Sequence, residues 1–390
     1  MFKRNLLVNP KGRNGLCFAA SSISRKVNIL KGFGVMNLDR IKSKANGIKN
    51  IKGTYGILRQ LASINGCDAD NELLDRVMYS VEALPPLGKE YWWFIFFGHC
   101  WNKHPMQMSL LMYRKRGREM LFNGNKIRLR ELGRNKFMGV AAGWIYDGKR
   151  LHDLGDTNAV TKVYPERKTI NSTISNHRIT LAGGFPDYRL KIGKIVDLKI
   201  RKGNYLEDRS VHGVLIPPFG MGWMDAFLNA SGSVLGKEFS GAAHLQKVLG
   251  VTTYGPFHWS RLVFQKGSSF SLFCLKTGKD SQRYLRRSAD FYDHENKRFI
   301  RFKNPDLKIL KNGGKATWVV KGRDKDNEFE TVLESYAVKR FDMNGGGSQV
   351  YIQYAVTPKS FILKTPERVF TLKDLGMGVG TFEDAHGSPV

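Results

Sequence analysis

Cysteine is scarce. The 390 residues hold four (Cys17, Cys67, Cys100 and Cys274), far apart, with no Cys-x-x-Cys pair and no His–Cys cluster at metal-ligand spacing. That scarcity speaks against a disulfide-stapled scaffold and a structural zinc site, and points to a reduced, cytoplasmic setting. No apolar run reaches the roughly 20 residues that a helix needs to cross a bilayer. The amino terminus lacks a compact apolar core followed by a small-residue cleavage site, although its opening stretch is basic, serine-containing and free of acid, as organellar presequences are. Acidic residues are the next shortage: 34 Asp and Glu stand against 63 Lys and Arg, for a net charge of +29. Residues 1–60 hold thirteen basic residues and one acid, Asp39. Such a chain attracts polyanions, whether an anionic membrane surface or nucleic acid. Helix-turn-helix, zinc-finger and RNA-recognition signatures are all missing, so nucleic acid is the less favoured partner. No motif calls for a metal or an organic cofactor.

What is present is aromatic and β-like. The segment Glu90-Tyr91-Trp92-Trp93-Phe94-Ile95-Phe96-Phe97 is too aromatic for a solvent-facing helix and suits a buried pleated surface. Met106–Tyr113 returns after a turn-like cluster, Cys100 to Pro105, which predicts an antiparallel hairpin. Segment 137–146 is followed by Asp147-Gly148, a favoured hairpin turn, and then by 149–153. Further short strands are expected at 168–174, 178–181, 188–192, 195–200 and 213–216. Later ones are expected at 259–264, 269–275, 299–303, 307–310, 315–320, 328–338, 349–356 and 359–363. Many short strands with turn signals between them indicate barrels or sandwiches. Ahead of them, Ile57, Leu58, Leu61 and Ile64 fall at helical spacing, stopped by Asn65-Gly66. A second helix is capped by Asp68 or Asp70, carries Leu73, Leu74, Val77, Met78 and Val81, and ends before Pro85-Pro86.

Three motifs carry a resemblance. The start Glu90-Tyr91-Trp92-Trp93-Phe94 resembles the opening strand of the lipocalin-like carotenoid 1,2-hydratase and AttH-like proteins. The segment Ser240–Gly250, followed by Gly255-Pro256-Phe257-His258-Trp259, resembles that family's junction between two calycin-type domains, and Gly376–Asp384 its glycine-rich closing strand. The resemblance covers residues 88–387. It implies a mostly β protein with two consecutive lipocalin-like antiparallel β-barrel or sandwich domains, at 88–250 and 251–390, behind a basic region 1–87 with two short helices. It also implies a lipophilic ligand, an isoprenoid or other lipid, held in the first barrel or between the domains. In the hydratases an aspartate of the junction segment is the implied acid that protonates a double bond. Here the matching positions are His244 and Gln246, and a glutamine cannot donate a proton as a carboxylic acid does.

The expected function is therefore lipophilic-ligand binding, with peripheral association to membranes. The alternatives are an acid-catalysed hydratase or cyclase of isoprenoids, and a basic nucleic-acid-binding protein whose arm is residues 1–60. For catalysis the candidates are His244, histidine being the one side chain whose unperturbed pKa lies near neutrality, and Asp225. For ligand binding they are Trp92, Trp93, Trp223, Gln246, His258 and Trp259, with Trp223 and Trp259 suited to facing a carbocation. Glu383 and Asp384 read as closing or capping the second unit. Asn344–Gly347 reads as a hairpin turn, and His99 and His104 as solvent-facing. The strings Tyr113-Arg114-Lys115-Arg116-Gly117-Arg118 and Arg283-Tyr284-Leu285-Arg286-Arg287 interleave rings with bases; they fit either solvated strand ends or a nucleic-acid surface.

Overall fold

The computed structural model describes residues 53–388 apart from 65–68, 101–103, 204–207, 217, 253–254, 279–280, 282, 313–314 and 345–347. The bulk of the basic arm, Cys17, Cys67, Asn65-Gly66, the alternative cap Asp68 and Gly345–Gly347 lie outside the described residues. The chain runs through helices α1 (Thr54–Ile64) and α2 (Asn71–Met78) into strands β1 (Gly88–Cys100), β2 (Pro105–Lys115), β3 (Glu119–Phe122), β4 (Asn125–Arg128), β5 (Arg130–Glu131), β6 (Lys136–Tyr146) and β7 (Leu151–Tyr164). It continues through β8 (Thr169–Ile174), β9 (His177–Gly184), β10 (Asp187–Ile192), β11 (Val196–Arg201), β12 (Asp208–Ile216), β13 (Phe219–Val234) and β14 (Lys237–Val251). The second half holds β15 (Phe257–Phe264), β16 (Ser269–Lys276), β17 (Tyr284–Asp293), β18 (Arg298–Lys303), β19 (Asp306–Asn312), β20 (Lys315–Asp324), β21 (Asn327–Asn344), β22 (Ser348–Lys364), β23 (Val369–Thr371), α3 (Leu372–Leu375) and β24 (Gly378–Ser388).

The first sheet closes on itself in the order β11-β10-β9-β8-β7-β6-β2-β1-β14-β13, because β13 also pairs with β11. β13 is long enough to serve two partners: its second half, Asn229–Val234, pairs β11, and its first half, Phe219–Phe227, pairs β12. The second sheet runs β18-β17-β16-β15-β24-β22-β21-β20-β19 and curls around a phenylalanine-rich core that includes Phe264, Phe270, Phe291, Phe302 and Phe361. The fold is thus a closed antiparallel barrel followed by a second large antiparallel sheet, with few helices.

Burial explains the sequence patterns. Side chains alternate across a strand, so β10 and β11, with one face in solvent, alternate strictly between exposed or half-buried and buried residues. β1 does not alternate, because both its faces are covered. Trp92, Phe94 and Phe96 point into the barrel lumen, while Trp93, Ile95 and Phe97 point outward into a layer shared with Val263, Tyr351 and Ala385 of the second sheet. The unbroken aromatic run marks the side of the barrel on which the second sheet packs. The lumen is filled by its own side chains, among them Leu110, Ile170, Leu190, Leu198 and Leu245, which are fully buried.

Helices α1 and α2 belong to the same lumen core through Leu58, Leu61, Leu73, Leu74, Val77 and Met78. Asp70 caps α2, its carboxylate accepting from Leu73 N at 2.6 Å. α1 lies directly on β12: a Cβ at Gly213 would sit 2.4 Å from the backbone nitrogen of Ala62, so only glycine allows that approach. The segment 240–250 makes up most of β14 and is paired along its length with β1. One expectation is corrected: His99 is half-buried on β1 rather than solvent-facing, and burial lowers its pKa.

Candidate functional site

Period-two geometry assigns each candidate to a face. On β13 the residues Trp223, Asp225 and Phe227 point away from the lumen, as do His244 and Gln246 on β14, where Asp225 stands opposite Gln246 in register. On β15 of the second sheet, Phe257, Trp259 and Val263 face the barrel, whereas Leu262 and Phe264 face the sheet's own core. Trp93, Asp225, His244, Gln246 and Trp259 therefore lie together in the seam where the barrel packs on the second sheet, and Trp223 lies beside Asp225 on the same face.

Asp225 is the hub. Its Oδ1 lies 2.8 Å from His244 Nε2 and accepts from Gln246 Nε2 at 2.9 Å. Burial pushes its carboxyl pKa up, but the bonds from His244 and Gln246 and the nearby His212 outweigh this and hold it below the usual range. Asp225 is therefore ionised at neutral pH, and Nε2 is the nitrogen of His244 that carries hydrogen. Nδ1 of His244, the other ring nitrogen, is buried without a hydrogen-bond partner among the described residues. Trp259 stacks on the His244 ring at 5.3 Å, Phe227 meets it edge-on at 6.3 Å, and His212 lies over Trp223 at 5.1 Å.

The opposite wall carries a group of the reverse character. Glu383 on β24 is the register partner of Trp259, which places the two side chains on the same face and adjacent. It is buried, and desolvation raises its pKa to about 8 against the opposing hydrogen bonds from Tyr351 and Gln353. The Tyr351 hydroxyl pKa is likewise raised by burial and by Glu383. Gln353 donates to Glu383 Oε1 at 3.3 Å and accepts the Trp144 indole N–H at 3.0 Å, so one amide joins the barrel wall to the acid. Trp93 completes the enclosure: its ring lies 4.6 Å from that of Tyr351, and its N–H donates to Ser109 Oγ at 3.0 Å. At neutral pH one carboxylic acid, Glu383, thus lies next to Trp259, and one carboxylate, Asp225, is bonded to the histidine on which Trp259 stacks.

Two expected ligand residues lie elsewhere. Trp92 faces the lumen, stacks on Phe137 at 5.7 Å and donates to Met78 O at 2.8 Å, which locks α2 to the barrel. His258 points into the second sheet, 2.9 Å from Asp384, which also pairs with Lys276 and His386. Asp384 and Glu383, neighbours in sequence, consequently serve opposite faces. Sequence reading left Tyr351, Gln353 and His212 unnamed and gave Glu383 only a structural role. Among the described residues, no group of three or more His, Cys, Asp or Glu is arranged to hold a metal ion, and no helix is long and apolar enough to cross a membrane.

No family model matches the sequence, and no match is found among curated proteins. Solved structures similar to this chain include a putative AttH from Nitrosomonas europaea, at 13% identity and a TM-score of 0.47, covering 76% of this chain and 91% of that one. Another is CghA in complex with Sch210972, at 8% identity and a TM-score of 0.45, covering 77% and 89%. A third is kievitone hydratase from Nectria haematococca, at 11% identity and a TM-score of 0.42, covering 83% and 95%.

Proposed function

We propose that the protein binds a lipophilic, unsaturated small molecule, an isoprenoid or comparable lipid, in the cleft between barrel and second sheet, and catalyses the addition of water to it or its cyclisation. The observation that carries this reading is the pair of oppositely tuned carboxyl groups, neutral Glu383 and ionised Asp225, flanking Trp259. Two titratable groups whose surroundings drive their pKa values apart divide acid and base roles between them. Glu383, still protonated at neutral pH, gives its proton to one carbon of a double bond, and the cation left on the other carbon is met by the π-faces of Trp259, Trp93 and Tyr351. In hydration, a water oxygen bonds to that carbon and loses a proton to His244 Nδ1. Asp225, holding Nε2–H, fixes this tautomer and supports the ring as it charges. Return of the proton from His244 to Glu383 through solvent restores both groups. Gln246 donates to Asp225 and keeps it ionised, so it needs no acid of its own. In cyclisation, a second double bond of the same ligand bonds to that carbon in place of the water, and the cation this leaves further along the ligand loses a proton from a neighbouring carbon to His244 Nδ1, forming a new double bond.

Simple binding is the second reading. It is favoured by the enclosure of Glu383, Tyr351 and His244, which are all buried and would retain a ligand against solvent. One experiment separates the two. The full chain and its Glu383→Gln variant are purified without detergent from a lipid-rich host, extracted with organic solvent and compared by mass spectrometry. Catalysed hydration gives a compound heavier by one water from the wild type than from the variant. Cyclisation gives equal masses with different chromatographic retention. The same unaltered lipid in both supports binding alone, and an empty extract from folded protein overturns both readings.

A further inference from the structure

In the string Tyr113-Arg114-Lys115-Arg116-Gly117-Arg118, Tyr113 packs in the layer that holds Trp93, whereas residues 114–118 run from the end of β2 into the loop before β3 and line a separate cavity of about 410 Å³, a volume suited to a small ligand. The wall is strongly basic: Arg114, Lys115, Arg116 and Arg118 are joined by Arg130 of β5, and among the described residues the one carboxylate lining it is Glu131. The floor is apolar, made by Leu84, Leu129, Phe137 and Met138.

The loop is held in place. Arg116 N donates to Gly88 O at 2.7 Å and Leu129 N to Arg118 O at 2.8 Å, while Gly117, at φ +149°, makes a turn that a side chain would strain. Not all of this charge is available to a ligand. Arg114 is buried and bonded to Glu90 and to Glu82 O, and Arg116 reaches Glu131 at 3.9 Å. Arg118 and Arg130 are exposed, and among the described residues their side chains have no hydrogen bond or ion pair. Lys115 stands opposite Lys89 across the β1–β2 ladder; burial, then the charge of Lys115, brings the Lys89 pKa down to about 7.

We propose that this cavity binds the phosphate group of an amphiphilic ligand, held by Arg116, Arg118 and Arg130, with the attached apolar chain lying on Leu129, Phe137 and Met138. Guanidinium forks match phosphate oxygens two at a time, which a lone ammonium cannot do. The floor adds a requirement that free phosphate does not meet. The phosphate is carried either by a soluble molecule or by a membrane phospholipid; the chemistry at the site is the same.

Calorimetric titration of the full chain with octyl phosphate and with inorganic phosphate tests the site. The expected result is binding of octyl phosphate at least about tenfold tighter than inorganic phosphate, reduced about tenfold or more in Arg118→Glu/Arg130→Glu and retained in Arg283→Glu, which changes a basic residue of a different cavity. Both substituted arginines of the double variant are exposed, so the fold is not at stake. Co-sedimentation with phosphatidic-acid vesicles then identifies the source. Retention that the double variant loses points to a membrane lipid, and retention that it keeps points to a soluble phosphorylated molecule. The proposal is overturned if octyl phosphate does not bind, if the double variant binds it as well as wild type, or if inorganic phosphate binds equally.

Discussion

Trp259 lies against His244, ring centroids 5.3 Å apart and planes 29° from parallel. One residue comes from the second sheet and the other from the barrel, so the base of the cleft is covered by a ring that only the other unit supplies. Trp259 is also the register partner of Glu383. This one indole therefore touches His244 directly and shares a sheet face with Glu383.

Replacing Asp225 with Asn should separate binding from chemistry. The amide can donate to His244 Nε2, which moves the ring hydrogen to Nδ1 and removes the lone pair meant for water. Turnover is expected to fall by roughly a hundredfold or more, with ligand affinity little changed. Steady-state kinetics beside equilibrium binding reads the two effects apart. An equal loss in both would make Asp225 a structural residue.

Glu383 leaves a mark on stability. Its pKa rises from 4.5 to about 8 on folding, so between these values the native state holds a proton that the unfolded chain has released, and stability falls as pH rises through that window. Glu383→Gln removes the dependence. Urea midpoints at about pH 5 and about pH 8 should diverge in the wild type and converge in the variant.

Lys89 acts in the opposite sense and over another window. Its pKa falls from 10.5 to about 7 on folding, so above pH 7 the unfolded chain holds the extra proton and stability rises with pH up to the unfolded value. Lys89→Met should flatten this rise. A Lys89→Met protein whose midpoint still climbs between about pH 7 and about pH 9 would assign the trend to another group.

Glu90 sits in the barrel lumen with no exposure and pairs with Lys247 at 2.7 Å and with Arg114 at 2.6 Å. Burial and the Glu90 charge compete at Lys247, and burial wins, bringing its pKa to about 8. Glu90→Gln leaves two buried cations without their counter-charge and should cost about 3–5 kcal/mol in chemical denaturation. Adding Lys247→Met should recover part of that loss, a coupling that a double-mutant cycle measures.

The strand-rich fold was legible where local chemistry and tertiary packing agree. The β1–β2 hairpin, the Asp147-Gly148 turn joining β6 to β7 and the Asp70 cap of α2 all follow from residues close in sequence. The aromatic run of β1 also showed that both faces of that strand had to be covered. The sequence reading named both Trp92 and Trp93, and both His258 and Trp259, as ligand residues, although period two puts the members of each pair on opposite faces; which member faces the other sheet depends on where that sheet packs, and no local pattern records that. The long strands β13 and β14 were harder to see, because Asp225, Gln246 and several glycines break their apolar pattern. Those breaks are cleft residues and close-packing positions. Tyr351, Gln353 and Glu383 reach the cleft from strands more than a hundred residues after Asp225, and a buried glutamate beside a phenylalanine looks in sequence like any strand-end acid.

The hairpin β3–β4 departs from the order of the chain. It is made of residues 119–128, from the barrel half, yet it pairs with the second sheet, Phe122 with Met343 and Leu121 with Asn344. During synthesis this ribbon emerges more than two hundred residues before its partner strand, so it waits unpaired while the barrel assembles beside it. Such long-range closure is slow and leaves an open edge exposed to neighbouring chains. It also means that a cut between β14 and β15 would not yield two complete halves: the carboxyl-terminal fragment would lack two strands of its own sheet, and the amino-terminal one would carry them with nowhere to dock.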